Sequence, residues 1–143
     1  ETSLSTKWIR TFLIIAKEIA THSRSTRSKV GAILVKDRRI ISIGYNGTPS
    51  GFDNHCEYEN GVTLPWVLHA ESNAISKCAC STENSSGSTL FVTLSPCLEC
   101  AKLIIQAGIA QVYYLEAYRD LAGVNLLRMA GIPADLITLN ESI

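Results

Sequence analysis

"TLFVTLSPCLECAKLIIQAGIAQVYYLEA", residues 89–117, is the stretch whose reading decides the fold. "TLFVTLS" (89–95) is apolar and rich in β-branched and aromatic residues, the composition of a buried strand. From Cys97 to Ala107 the pattern turns helical, until Gly108 stops it. "QVYYLEA" (111–117) is strand again. A strand, a helix and a strand in succession call for a right-handed crossover within one sheet.

The flanks extend this pattern. Upstream, Trp8, Ile9, Phe12, Ile15, Ala16 and Ile19 recur at helical spacing behind Ser5, a good N-cap. "KVGAILVKDRRIISIGYN" reads as a β-hairpin, with apolar runs at 30–35 and 40–45 around the charged turn "KDRR". Residues 46–63 are polar and turn-rich, and so long a loop in a compact domain points to function. A helix is expected over roughly 68–80, then the polar spacer "STENSSGS". Downstream, Leu121–Ala130 is helical up to Gly131 and Pro133, and "DLITL" is a short last strand. The order α-β-β-α-β-α-β-α-β predicts an α/β fold of three α-β-α layers, with a mixed five-stranded sheet carrying helices on both faces. At 143 residues, without internal repeats, one domain is expected over 1–143.

Composition narrows the function. Apolar residues make up 46% and charged residues 18%, an ordinary globular balance. The run "FLIIA" is too short to cross a bilayer, and Arg10, Lys17 and Glu18 interrupt residues 8–20, so neither a membrane span nor a signal peptide is expected. Five cysteines, an odd number, argue against a disulfide framework and for a reducing cytoplasm. Net charge is zero, with an excess of +6 over residues 1–40 and −6 over the remainder. The concentrated part, "RSTRSK" at 24–29, reads either as a solvated loop or as a small anion site. A nucleic-acid track would need more positive charge and an aromatic-basic stripe.

The chemistry lies at strand ends, where α/β sheets place their sites. Cys97 and Cys100 in "PCLEC", with His69 in "HAE", make a three-ligand N/S set suited to zinc. Three protein ligands leave a fourth position for water, as in catalytic zinc sites. The start of a helix stabilises the thiolates that binding requires. Glu71 is the natural general acid/base beside a water whose pKa zinc lowers to about 7. His69 and Glu71 stand about 200° apart on an ideal helix, so they reach one cavity only from the helix mouth. H-x-E followed by P-C-x-x-C is the signature of zinc deaminases of nucleobases. A structural zinc clip would instead need a fourth ligand such as His55, Cys56 or Cys78, and a thioredoxin-like pair would open the first helix of a βαβ unit. Cys78 and Cys80 otherwise read as small buried apolar residues, and His55 and Cys56 as packing and hydrogen-bonding residues of the long loop.

The chain resembles the deoxycytidylate (dCMP) deaminases of the cytidine deaminase superfamily, of viral and bacterial type. The likeness runs from "KVGAILVKDRRIISIGYNGTPSG" through "HAESNAI" and "TLSPCLECAKLIIQAGI" to "VYYLEAYRD" and "LLRMAGI". His69 where usual nucleoside deaminases have cysteine, the "GYNGTPSG" block before a long loop, and "EAYRD" favour this family. The resemblance implies one catalytic Zn²⁺ per subunit on His69, Cys97 and Cys100, with Glu71 as proton shuttle. It implies Asn46 on the sugar hydroxyl, and the Ala70 N–H and Ser95 carbonyl on the pyrimidine edge. Tyr118 is either a pocket aromatic or a packing residue. Arg24, Arg27, Lys29 and Arg119 are unranked candidates for the 5′-phosphate, and Tyr45 and Gly47 lie in the block that would cradle effector phosphates. Some members hold a second, structural zinc with a cysteine where this chain has Ser25. That site is expected to be lost unless His22, His55 and Cys56 replace it.

The implied reaction is hydrolysis of dCMP to dUMP and ammonia by attack of an activated water on C4, with Glu71 carrying protons to N3 and the leaving amine. A homo-hexamer activated by dCTP and inhibited by dTTP is implied as well. No nucleic-acid or membrane partner is expected. The alternatives left open are a deaminase of both dCMP and dCTP, a deaminase of another cytosine nucleoside or nucleotide, and a non-catalytic zinc-stabilised binding module.

Overall fold

The computed structural model describes residues 4–139. Its elements follow the predicted order: α1 (Thr6–Ala20), β1 (Gly31–Lys36), β2 (Arg39–Tyr45), α2 (Ala70–Ala79), β3 (Thr89–Leu94), α3 (Leu98–Gln106), β4 (Gln111–Glu116), α4 (Ala122–Met129) and β5 (Ala134–Leu136). The strands lie in the order β2-β1-β3-β4-β5. β1 runs antiparallel to both neighbours, whereas β3, β4 and β5 are parallel. The sheet is therefore mixed, as the alternation of elements requires.

Side-chain alternation splits the core into two layers. Ala32, Leu34, Leu90, Val92, Val112 and Tyr114 face α2, α3 and α4. Ile33, Val35 and Phe91 point the other way, onto Ile9, Phe12, Leu13 and Ala16 of α1. Phe91 is wedged between the rings of Phe12 (5.2 Å) and Tyr113 (5.4 Å). The buried stripe of α1 is Ile9, Phe12, Leu13, Ala16 and Ala20. Trp8 lies on its flank, 38% exposed, while Leu13 and Ala20 are buried and Ile15 and Ile19 pack against the edge of the stripe.

Three local features refine the sequence reading. The hairpin turn is tighter than "KDRR": only Asp37 and Arg38 lie outside the strands, both with positive φ (54° and 61°). That is the backbone of a two-residue type I′ turn. The last strand stops at Leu136, although the Ile137 N–H still bonds the Tyr114 carbonyl. Cys78 is buried as expected, but Cys80 is exposed. It stands at the C-cap, two residues further round α2, and so faces outward.

β1 and β3 being antiparallel brings the beginning of β1 beside the end of β3. The Gly31 N–H bonds Thr93 Oγ1 at 3.2 Å. The loop entering β1 thus meets the "SPCLEC" turn leaving β3. α2 completes the corner, and Gly44 of β2 lets it approach. A Cβ on Gly44 would lie 2.5 Å from both the Ala70 carbonyl oxygen and the Ala74 nitrogen. Those are backbone atoms of the helix that begins just after His69, so they cannot swing aside. Gly44→Ala is expected to lower unfolding stability by about 1–3 kcal/mol, the usual cost of overpacking. A fall in the urea midpoint checks this; an unchanged or raised midpoint would show that α2 can yield.

Candidate active site

Two helix N-termini converge on the corner between β1, β3 and α2. His69 is the N-cap of α2 and Cys97 the N-cap of α3, both in extended backbone. Cys100 lies one turn into α3, and its N–H donates to Cys97 Sγ at 3.5 Å. His69 Nδ1 is 3.5 Å from Cys97 Sγ and 3.3 Å from Cys100 Sγ. Zinc bonded tetrahedrally at about 2.3 Å to sulfur and about 2.0 Å to nitrogen would hold N and S about 3.5 Å apart. The donor set fits that ion in type and spacing.

Among the described residues, His69, Cys97 and Cys100 are the one group of three or more His, Cys, Asp or Glu side chains arranged to hold a metal. His55, Cys56 and Cys78, the fourth ligands a closed structural site would need, do not join it. No second set forms around His22, His55 and Cys56 either. Instead the His22 ring faces Tyr45 at 6.0 Å, the His55 N–H donates to Asp53, and the Cys56 thiol donates to the Asn54 carbonyl.

Electrostatics favour a cation. Burial pushes the Cys100 thiol far up, reinforced by the negative charges of Glu71 and Cys97. A bound cation removes that penalty by taking the thiolate as a ligand. Glu71 is only 4% exposed, and burial pushes its carboxyl up to about 7. A cation beside it would favour its ionised form.

His69, Cys97 and Glu71 border a cavity of about 300 Å³, with Cys100 buried behind them. Of the residues expected at the site, Arg27, Asn46, His69, Ala70, Glu71, Ser95, Cys97 and Tyr118 line it. Ser25, Ser28, Val30, Thr63, Val67 and Leu94 complete the wall, so the long loop does contribute. Arg24, Arg119, Tyr45 and Gly47 lie outside the lining. Tyr45 carries the Lys77 ammonium over its ring at 5.5 Å. Gly47 pairs with Leu68 through two backbone hydrogen bonds, closing the loop onto His69. Lys29 turns to a separate cavity of about 490 Å³, with Lys17 and Glu116.

Several side chains hold the walls. Asn46 Oδ1 accepts from the Val30 N–H (2.9 Å), and its Nδ2 donates to the Ser28 carbonyl (2.7 Å). Ser95 is buried, its N–H bonded to the Glu116 carbonyl and its Oγ accepting the Tyr118 N–H at 2.6 Å. Ser95 thus fixes the backbone of Tyr118. Ser25, at the position expected to cost the chain the second zinc that some members hold with a cysteine, is buried and donates to Glu57 Oε2 at 2.7 Å. Sequence reasoning missed Glu57; the empty cysteine position at Ser25 was the one available signal.

A conserved-domain match accounts for this arrangement: residues 6–116 fit the model of the cytidine and deoxycytidylate deaminase zinc-binding region, and the chain belongs to that family. It is 40% identical over 121 residues to a deoxycytidylate deaminase of Mycobacterium phage D29, covering 75% of this chain and 93% of that protein. It is 37% identical over 142 residues to the human deoxycytidylate deaminase, covering 88% of this chain and 77% of that protein. The crystal structure of the dCMP deaminase from cyanophage S-TIM5 in complex with dCMP and dUMP superposes with a TM-score of 0.92 at 43% identity, over 94% of this chain and all of that one.

α4 packs against the turn that carries Cys97. A Cβ on Gly123 would lie 2.2 Å from the Pro96 carbonyl oxygen and 2.6 Å from that of Cys97. In an isolated helix Gly→Ala would gain about 1 kcal/mol. Here Gly123→Ala is expected to weaken zinc binding and lower the melting temperature, because it pushes the Cys97 turn away from His69. Competition with a chromophoric chelator measures the first effect and calorimetry the second. A variant that is more stable with unchanged affinity would contradict this packing.

Proposed function

We propose that this protein catalyses the hydrolytic deamination of dCMP to dUMP and ammonia, with the chain acting as one catalytic domain. The observation that carries the reading is a buried carboxyl, Glu71, lining one cavity with His69 and Cys97 of the His69–Cys97–Cys100 donor set. A binding module would have no use for that carboxyl. Relation to deoxycytidylate deaminases, and to a structure holding dCMP and dUMP, supports the choice of substrate.

His69, Cys97 and Cys100 would hold a single zinc ion, which when bound supplies Lewis acidity that makes water nucleophilic near neutral pH. Glu71, held ionised by the cation, is placed to take one proton from the attacking water for the cytosine N3, and then the proton of the new C4 hydroxyl for the departing amine. The Ala70 N–H and Ser95 carbonyl orient the pyrimidine edge. Asn46 serves the sugar hydroxyl while its amide holds residues 28 and 30. Tyr118 closes the mouth over the ring. Arg27 is the one of the four candidate cations that lines the cavity, and it is assigned to the 5′-phosphate.

Activation by dCTP, inhibition by dTTP and assembly into a homo-hexamer extend the same reading. The exposed Phe52 and Trp66, paired at 6.4 Å on the long loop, offer apolar surface for assembly. A cytoplasmic setting agrees with five cysteines that are all free thiols. No helix among the described residues is long and apolar enough to cross a membrane.

Ammonia release from dCMP is expected to stop on treatment with a strong chelator and to return with added zinc. Glu71→Gln is expected to keep its zinc yet lose about 10²- to 10⁴-fold in kcat, the weight of a general acid/base. Full turnover by that variant would remove Glu71 from the chemistry. Saturation curves for dCMP with and without dCTP and dTTP test the regulation.

A further inference from the structure

Glu57 is a buried acid with no part in the chemistry described so far. It is 8% exposed and sits in the loop between β2 and α2, paired there with Thr63. One of its carboxylate oxygens, Oε2, accepts three hydrogen bonds from one short segment: Ser25 Oγ–H at 2.7 Å, the Thr26 N–H at 2.9 Å and the Arg27 N–H at 3.3 Å. A second tie runs beside it. Ser23 Oγ accepts the Ser25 N–H at 3.2 Å and donates to the Asn46 carbonyl at 2.7 Å. Asn46 then holds residues 28 and 30 through its amide. The segment that carries Arg27 is thus fastened at both ends, by Glu57 before the arginine side chain and by Asn46 after it.

The placement is unexpected in charge. An acid behind the cationic edge of a cavity would oppose an anionic ligand if its charge were free. Here three donors converge on one oxygen, and charge-assisted bonds of this kind are the strong ones. The hydrogen bond from Ser25 leads the interactions that hold the Glu57 carboxyl below its ordinary range, so it is ionised at neutral pH. Its charge is spent on backbone and hydroxyl donors, while Ser25, Arg27 and Ser28 line the cavity on the other side.

We infer that Glu57 is a positioning residue: by fixing the backbone of residues 25–27 it holds Arg27 at the cavity mouth and so sets the affinity for the phosphate of the substrate. This rests on the reading of dCMP as substrate and on Arg27 as the phosphate donor. The clamp needs no metal, because the Ser25 hydroxyl and the Glu57 carboxylate complete each other directly. It acts on binding rather than on proton transfer, since Glu57 does not line the cavity that Glu71 borders.

The test is a double-mutant cycle on the zinc-loaded protein with dCMP, reading KM and kcat separately. Glu57→Gln is expected to raise KM by about 10- to 100-fold, the range for losing one partner of a charged hydrogen-bonded group. The same change should alter kcat by less than about 3-fold, since transition-state contacts are untouched. In an Arg27→Ala background, Glu57→Gln should add less than about 2-fold to KM, because the two residues act in series. Ser25→Ala removes one donor, retains the acid, and should shift KM in the same direction by less. It serves as the readout if Glu57→Gln fails to fold. Equal losses in kcat and kcat/KM, or effects of Glu57 and Arg27 that multiply independently, would overturn the inference and reduce Glu57 to a general structural role. Absence of dCMP turnover by the parent protein would instead defeat the substrate assignment, a separate outcome.

Discussion

Everything at the site depends on two helices beginning at the same point in space. α2 starts at His69 and α3 at Cys97, and His69 Nδ1 stands 3.5 Å from the Cys97 sulfur and 3.3 Å from that of Cys100, one turn on. Helix beginnings carry unpaired N–H groups and the positive end of the macrodipole, so each favours the thiolate form its neighbour needs. The same convergence explains how His69 and Glu71 share a cavity despite lying on different sides of an ideal helix. At the mouth of α2 one side chain reaches sideways to the sulfurs while the other turns inward. Deeper in the helix this would fail.

The sheet supplies the distances. β1 is antiparallel and β3 parallel to the strand on its far side, so the entry to β1 and the exit of β3 form one corner. Two glycines then set how near the helices come. Gly44 seats α2 on β2, and Gly123 seats α4 against the Pro96–Cys97 carbonyls. Both contacts are backbone against backbone, and protein interiors packed at crystal-like density do not absorb an extra methyl there. The spacing of the ligand atoms rests on these contacts between backbones.

What was legible in the sequence depended on short-range pattern. The order of elements, the hairpin and Ser5 as N-cap are signals within a few residues of chain, and "HAE" and "PCLEC", though 28 residues apart from His69 to Cys97, are each compact and chemically distinctive. The stripe of α1 was less so: apolar residues cover much of "WIRTFLIIAKEIA", and only the position of the sheet decides which are buried. Cys80 looked like Cys78 by composition, but a helix ending at Ala79 turns it outward. Glu57 was illegible because its partners lie about thirty residues away across a segment without repeating structure. Gly123 left a faint mark, as a helix former would be preferred at that place unless something pressed against it.

The chain ties its loops in two different chemical ways. The reaction centre is knotted by soft ligands, which chelators and oxidants can undo. The segment bearing Arg27 is knotted by a carboxylate, a hydroxyl and two peptide N–H groups, which neither agent attacks. Loss of a metal from the first tie would therefore leave the second, and with it the wall of the cavity at residues 25–27, in shape. A protein that had lost its metal would still present a formed mouth, ready to resume work when the ion returned.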